Sequence, residues 1–304
     1  MTYLLFLVGL AGLFFGGEYL VRGASALALR FGLSPMVIGL TVVGFGTSAP
    51  ELLVSVQAAL AGDPGIAIGN VMGSNIANIL LILGVSAAIA PLALPGRLIR
   101  RDLGFLLLAS ALLWPVLADG VVSRLDGLVL LAGLALFLTT ALMTGKAPEG
   151  AELKMDEPAA LAWVHSLGGL VLLAVGARLL VDSASEIARS AGVSDAVIGL
   201  TVVAIGTSLP ELATAAIAAM RGQSDIAVGN VLGSNVFNIF GILGTTAVIS
   251  PIHQVDPRFL AVDFPWVIGT ALGITTVALT YGRLPRWMGG VLLAAYAGYV
   301  ALML

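Results

Sequence analysis

"VIGLTVVGFGTSAPEL", residues Val37 to Leu52, reappears as "VIGLTVVAIGTSLPEL", residues Val197 to Leu212. Each copy is apolar up to a Gly- and Pro-punctuated break and then presents a glutamate, Glu51 or Glu211. Further on, "IAIGNVMGSNIANILLILG" from Ile66 matches "IAVGNVLGSNVFNIFGILG" from Ile226. Residues 33–91 and 193–251 align without a gap at a constant offset of 160, with about 33 of the 59 positions identical. Weaker similarity reaches back to Gly16, Leu20, Val21 and Ala24, which match Gly176, Leu180, Val181 and Ala184. Self-similarity at a fixed offset marks a duplicated structural unit.

The medium of that unit follows from composition. The chain has 304 residues, 59% of them hydrophobic and 10% charged. A water-soluble domain cannot hide that much apolar surface, so the bilayer is the expected solvent. Stretches of roughly 20 apolar residues, the length of a spanning helix, recur throughout. Divided at Pro, Gly and charge clusters, the chain gives ten predicted spans: 3–29, 34–60, 66–90, 100–118, 124–143, 161–188, 194–220, 226–250, 260–281 and 286–303. The first is read as a span and not a signal peptide, because no small-residue cleavage pattern and soluble domain follow it. There is no cysteine, which excludes disulfides and thiolate metal sites. Scattered arginines argue against a nucleic-acid surface.

The polar stretch "TGKAPEGAELKMDEP", Thr144 to Pro158, is the one linker-like segment. It separates an N-terminal half, 1–143 (repeat 34–91), from a C-terminal half, 161–304 (repeat 194–251), with 144–160 as linker. Five spans per half is an odd number, so the second half starts on the opposite side of the membrane. The expected architecture is an all-α membrane protein of ten helices in two inverted five-helix repeats. Basic residues orient it. With the N-terminus outside, inner loops hold Arg30, Arg97, Arg100, Arg101, Lys146, Lys154, Arg221, Arg283 and Arg286, and outer loops only Arg124, Arg189 and Arg258. That asymmetry puts the linker in the cytoplasm.

The break carries the chemistry. Pro50 has no N–H, so the Gly46 carbonyl loses its helical partner, and Gly44 and Gly46 add backbone freedom. Freed carbonyls inside a bilayer must face protein or a polar cavity. Thr47, Ser48 and Glu51 add hydroxyl and carboxylate oxygens there, and Thr207, Ser208, Pro210 and Glu211 repeat the arrangement. In the next span Asn70, Ser74 and Asn78 fall at i, i+4 and i+8, a polar stripe mirrored by Asn230, Ser234 and Asn238. Gly69 and Gly73, like Gly229 and Gly233, let another helix come close. Facing across a pseudo-twofold axis, the two sets would enclose two carboxylates in a cage of oxygens. Hard cations want such a cage; calcium takes about 6–8 oxygen ligands. No His or Cys lies in either motif, so zinc and softer metals fit poorly.

The paired motifs GTSAPE…GNVMGSNIAN and GTSLPE…GNVLGSNVFN resemble the two alpha repeats of the calcium/cation antiporter superfamily, and most of all its sodium/calcium exchanger branch in compact prokaryotic form. The resemblance implies ions bound centrally between the second, third, seventh and eighth spans. Carried onto this chain, the acidic ligands are Glu51 and Glu211 and the hydroxyl ligands Thr47, Ser48, Ser74, Thr207, Ser208 and Ser234. Carbonyls near Gly44 and Ala204 would complete the sodium sites, with Asn78 and Asn238 near the centre. Asn238 stands where potassium-dependent relatives place acidity, and an amide cannot ionise, which argues against potassium co-transport. The resemblance also implies that the first and sixth spans, 3–29 and 161–188, slide across a fixed bundle.

The expected function is therefore secondary antiport of calcium against sodium in the cell (inner) membrane. Calcium and sodium ions and lipid are its partners, a monomer is its working unit, and no cofactor or nucleic acid is involved. The alternatives are a proton-driven cation antiporter, a passive cation channel and an intramembrane enzyme. An enzyme would need a nucleophile or a His/Asp metal set beside the glutamates, and the sequence places none there. Two glutamates neutralise one Ca2+ or two Na+, so rival ions exclude each other at shared ligands.

Other residues have plainer readings. Asn75 and Asn235 are expected to fix helix packing, and Asn70 and Asn230 either to brace the broken spans or to bind ions. Glu18 with Arg22, and Arg178 with Asp182, are four apart and read as intrahelical ion pairs. They lie on the spans expected to slide. His165 and His253 are expected near span ends. Trp114, Trp163, Trp266 and Trp287 are expected to be interfacial anchors.

Overall fold

Helix boundaries follow local chemistry closely. A computed structural model describes residues 1–94, 96–145, 158–191 and 206–303. Helix α1 runs Thr2–Arg30. Ser34 then caps α2, Pro35–Thr47, by accepting from the Val37 N–H, and Pro35 opens the helix. Pro at the first helical position costs no hydrogen bond, because that N–H has no partner anyway. Helix α3, Ala49–Ala61, stops at Gly62 with φ +81°, a left-handed C-cap, the conformation glycine adopts without a Cβ clash. Helix α4 spans Pro64–Ile89, α5 Gly96–Leu117 and α6 Arg124–Thr144, the last opened by a capping box between Ser123 and Asp126. Helices α7 (Ala159–Ser190), α8 (Leu209–Met220), α9 (Ser224–Ile249), α10 (Phe259–Tyr281) and α11 (Arg286–Met303) complete the described chain. Two-residue strands tie the loops: β1 (Leu92–Ala93) pairs antiparallel with β4 (Arg283–Leu284), and β2 (Val121–Val122) with β3 (Ile252–His253).

Among the described residues, seven helices are long and apolar enough to cross a bilayer, and eight if the bent pair α2–α3 counts as one span. This is a multi-pass membrane protein. The predicted limits coincide with the observed helices to within a few residues. Ala204, most of the linker, and the first part of the 194–220 span lie outside the described residues.

Two kinds of packing build the bundle. The long helices α1 and α7 meet through small residues. A Cβ on Gly9 would sit 2.9 Å from the Gly176 carbonyl, one on Gly16 3.0 Å from that of Gly169, and one on Gly23 2.7 Å from that of Ala162. Ascending numbers on α1 meet descending numbers on α7, so the helices are antiparallel. Without a hydrophobic force between helices in lipid, such close backbone approach supplies the dispersion contact.

The remaining helices form a polar-centred bundle. Helix α9 packs on α2, α6 and α8, and α4 on α3, α8, α10 and α11. A Cβ on Gly229 would lie 2.6 Å from the Met36 carbonyl and one on Gly233 2.2 Å from that of Leu40. These glycines therefore admit α2 and α9 to backbone contact. Helices α2, α4 and α9 each contain a π-helical turn, Gly39–Val43, Asn78–Ile82 and Phe237–Leu243. Such turns free carbonyls and recur at functional sites.

Candidate cation site

Helix α2 ends and α3 begins at Ser48, with a bend of 45° between them. Pro50 sits in the first turn of α3, where its missing N–H is harmless, and Pro210 takes the equivalent place in α8. Glu51 and Glu211 thus lie in first turns, where the positive end of the helix dipole favours anions. Both are 1% exposed.

The two glutamate-bearing helix starts are stitched to each other. The Ser48 hydroxyl donates to Glu211 Oε1 at 2.9 Å, and the Ser208 hydroxyl reaches Glu51 Oε1 at 3.5 Å. Each carboxylate is held by the other repeat. The Thr47 hydroxyl lies 3.2 Å from Asn230 Oδ1 and 3.0 Å from the Val43 carbonyl, an acceptor in the π turn. The Ser234 hydroxyl donates to the Gly44 carbonyl at 3.2 Å. Gly44 therefore joins the site, with its oxygen already taken by Ser234.

Asn70 and Asn230 are braces. The Asn70 amide donates to the Glu51 carbonyl at 3.0 Å and to Ser55 Oγ at 2.8 Å; the Asn230 amide donates to the Glu211 carbonyl at 3.2 Å. Each ties its helix to the backbone of a glutamate. Asn235 joins α9 to α4: its Oδ1 accepts from Asn78 Nδ2 at 2.9 Å. That turns the Asn78 carbonyl oxygen free. Asn75 keeps the packing role, donating to the Val71 carbonyl one turn back at 2.7 Å. Ser74 and Ser234 are buried, and Thr207 is half-buried beside Ser208.

Four buried oxygens in this cluster have no donor: Glu51 Oε2, Glu211 Oε2, Asn78 Oδ1 and Asn238 Oδ1. An orphaned buried acceptor costs about 1–3 kcal/mol, and more on a carboxylate. All four are acceptors, oxygens of the kind a hard cation takes as ligands.

Outside the cluster, the structure adds partners to residues singled out in the sequence. Glu18 is gripped across the bundle by Arg221, with Nε to Oε2 at 2.9 Å. His165 stacks on Tyr19 at 5.2 Å inside the α1–α7 interface. Trp266 packs edge-on against Tyr299 at 5.4 Å, whereas Trp114, Trp163 and Trp287 are exposed. The Arg178–Asp182 pair forms as expected, at 3.8 Å.

Comparisons with known proteins agree on the fold and class. The family described as "Sodium/calcium exchanger protein" matches residues 1–143 and 161–304. The inner membrane protein YrbG of Escherichia coli (strain K12) is 38% identical over 309 residues, covering 97% of this chain and 94% of YrbG. The sodium/calcium exchanger MaX1 of Methanosarcina acetivorans is 34% identical over 346 residues, covering 100% and 98%. A solved structure of the sodium-calcium exchanger NCX_Mj, soaked with zero Na+ and Ca2+, superposes with TM-score 0.89 at 35% identity, covering 99% of this chain and 98% of that one. The chain is a transporter of this class and belongs to the sodium/calcium exchanger protein family.

Proposed function

We propose that the protein is a secondary antiporter exchanging calcium for sodium across the cell (inner) membrane by alternating access. One observation carries this reading: the two carboxylate and two amide oxygens left without donors in a buried, cross-bonded cluster. Glu51 and Glu211 supply the charge, and Asn78 and Asn238 neutral oxygens beside it. Ser48 and Ser208, now donors to the carboxylates, turn their lone pairs to an incoming ion, with Thr47, Ser74, Thr207, Ser234 and the Gly44 carbonyl around them; the resemblance adds the Ala204 carbonyl as a sodium ligand. Two negative charges balance one Ca2+ or two Na+, so occupancy by one ion expels the other. The names of MaX1 and NCX_Mj support this choice of ions.

Under this reading the chain has ten spans in two inverted halves, 1–143 and 161–304, with the N-terminus outside, the 144–160 linker in the cytoplasm and a single chain as the working unit. The pattern of contacts supports inversion. Gly9 meets Gly176 while Gly16 meets Gly169, and at the offset of 160 these are one contact seen twice. Ser48–Glu211 and Ser208–Glu51 repeat the same exchange. Reciprocal contact of this kind is the mark of a twofold axis. Antiparallel α1 and α7 put that axis across the helices, in the membrane plane. Helices α1 and α7 would then slide along the bundle to switch access.

Calcium uptake into proteoliposomes, with sodium, potassium and proton gradients imposed separately, tests the reading. Uptake should require opposing sodium. Uptake driven equally by a proton gradient, or proceeding with no opposing ion, would overturn it.

A further inference from the structure

Glu18 lies in the middle of α1, half-buried, where a membrane span tolerates a charge only for a use. Its partner Arg221 caps the end of α8 at the turn into α9. Two residues on, Gln223 accepts from the Ser25 hydroxyl at 3.2 Å. Helix α1 is thus bonded to the α8–α9 turn at two points one face apart, and it packs along α8. The α1–α7 interface includes close glycine backbone approaches as well as the Tyr19–His165 stack. An ion pair resists sliding and a glycine face does not.

The repeat supplies a second version in which the partner charge is moved: Arg221 corresponds to the uncharged Ala61, and the acid of that turn is Asp63, two residues on. At the offset of 160, Glu18 corresponds to Arg178 and Ser25 to Ser185; Gln223 corresponds to Asp63. Both turns have the same backbone, with Gly62 at φ +81° and Gly222 at φ +69°. Yet the mirror contact is unmade: Arg178 pairs with Asp182 on its own helix, both side chains largely exposed, at 85% and 69%. Asp63 is exposed, and its side chain caps nothing in α4. The packing of α7 along α3 that would mirror α1 on α8 is not among the main contacts of the described residues.

We infer that Glu18 and Arg221 are positioning residues that hold α1 against the α8–α9 turn in this state, and that Arg178 and Asp63 hold α7 against the α3–α4 turn in the opposite state. In a duplicated transporter the two halves exchange conformations as access switches, so a contact made by one half in one state is made by the other in the next. Arg178 then leaves Asp182 for Asp63, and Ser185 takes the place of Ser25. The inference rests on the antiport reading above and adds to it the pairs that set how long each state lasts.

The chain has no cysteine, so a Ser25→Cys/Gln223→Cys variant reports on α1 without background. In proteoliposomes, the initial rate of disulfide formation under copper phenanthroline measures how often α1 is docked. Glu18→Gln or Arg221→Gln should slow it about fivefold, the scale of a partly exposed ion pair. The exchanged pair Glu18→Arg with Arg221→Glu should restore it, and keeps the test decisive where a single variant folds poorly. Asp63→Asn and Arg178→Gln should quicken it by a similar factor, because they weaken the rival state. Rates unchanged in Glu18→Gln and Arg221→Gln, or slowed in Asp63→Asn, would overturn the inference. Sodium-driven uptake by the unaltered chain is scored separately: its failure rejects the antiport reading, whereas the cross-linking rate reads helix position alone.

Discussion

The two copies of the repeat carry the same motif and do not carry the same hydrogen bonds. Ser48 holds Glu211 at 2.9 Å, while Ser208 holds Glu51 at 3.5 Å. Asn78 is bonded by Asn235 across the bundle, whereas Asn75, the counterpart of Asn235, turns back to its own helix. Asn70 has a second acceptor in Ser55, where the other copy has Ala215. Surroundings differ as well: α9 is almost wholly buried inside the protein, and α4 less so. Duplication makes the two glutamates chemically equal; their neighbours make them unequal. A cluster built this way is symmetric in charge and asymmetric in grip.

The widest test of that comparison removes charge. Glu51→Gln and Glu211→Gln are each expected to lower calcium uptake by about 100-fold or more, since each deletes half the charge that balances Ca2+. Both variants should stay monodisperse in detergent. Near-normal uptake in one alone would show that the copies are unequal in charge as well as in grip. Adding charge is the next test. Asn238→Asp should tighten calcium binding about tenfold at neutral pH, or make uptake depend on pH, by placing a third carboxylate beside two. Titration calorimetry and uptake across pH read this, and indifference of both would remove Asn238 from the centre.

The hydroxyls sharpen the asymmetry itself. Ser48→Ala should weaken calcium binding about tenfold and Ser208→Ala about threefold, because the shorter bond orients its carboxylate more firmly. Equal losses would mean that the difference in distance has no consequence. A smaller contrast is expected in stability. Asn235→Ala leaves Asn78 unpaired and should cost about 1–2 kcal/mol, against under about 0.5 kcal/mol for Asn75→Ala, measured by thermal unfolding in detergent. The smallest effect belongs to Ala215→Ser, which gives Asn230 the acceptor that Asn70 has. A gain of about 0.5 kcal/mol or less is expected.

Much of this was legible in the linear chain, for reasons that differ by element. Spans announce themselves because a bilayer forbids long polar stretches, so the limits at 2–30, 124–144 and 286–303 were visible in hydropathy alone. The break at Ser48 was visible because proline and glycine act locally. The oxygen donors stood out because carboxylates, hydroxyls and amides are scarce in such a chain. Three things were not legible. Asn235 differs from Asn75 only in what lies across the bundle, and no local rule predicts that. Glu18 has Arg22 at helical spacing, and that local rule says nothing of Arg221, about 200 residues away, which pairs with it in the fold. The register of Gly9 on Gly176 depends on two helices meeting, and either one alone shows only scattered glycines.

Sequence by itself determined that the chain lives in a membrane, that it is duplicated, where proline and glycine interrupt its spans, and that carboxylate, hydroxyl and amide oxygens gather near those points. Those properties are set within a few turns of backbone, by hydropathy, proline geometry and side-chain type. Tertiary structure alone decided that each carboxylate is held by a hydroxyl of the other repeat, which oxygens stay without donors, and that Arg221 pairs with Glu18 while Arg178 pairs with Asp182. These depend on distances between segments about 160 residues apart, and there packing, unlike propensity, is free to treat identical motifs differently.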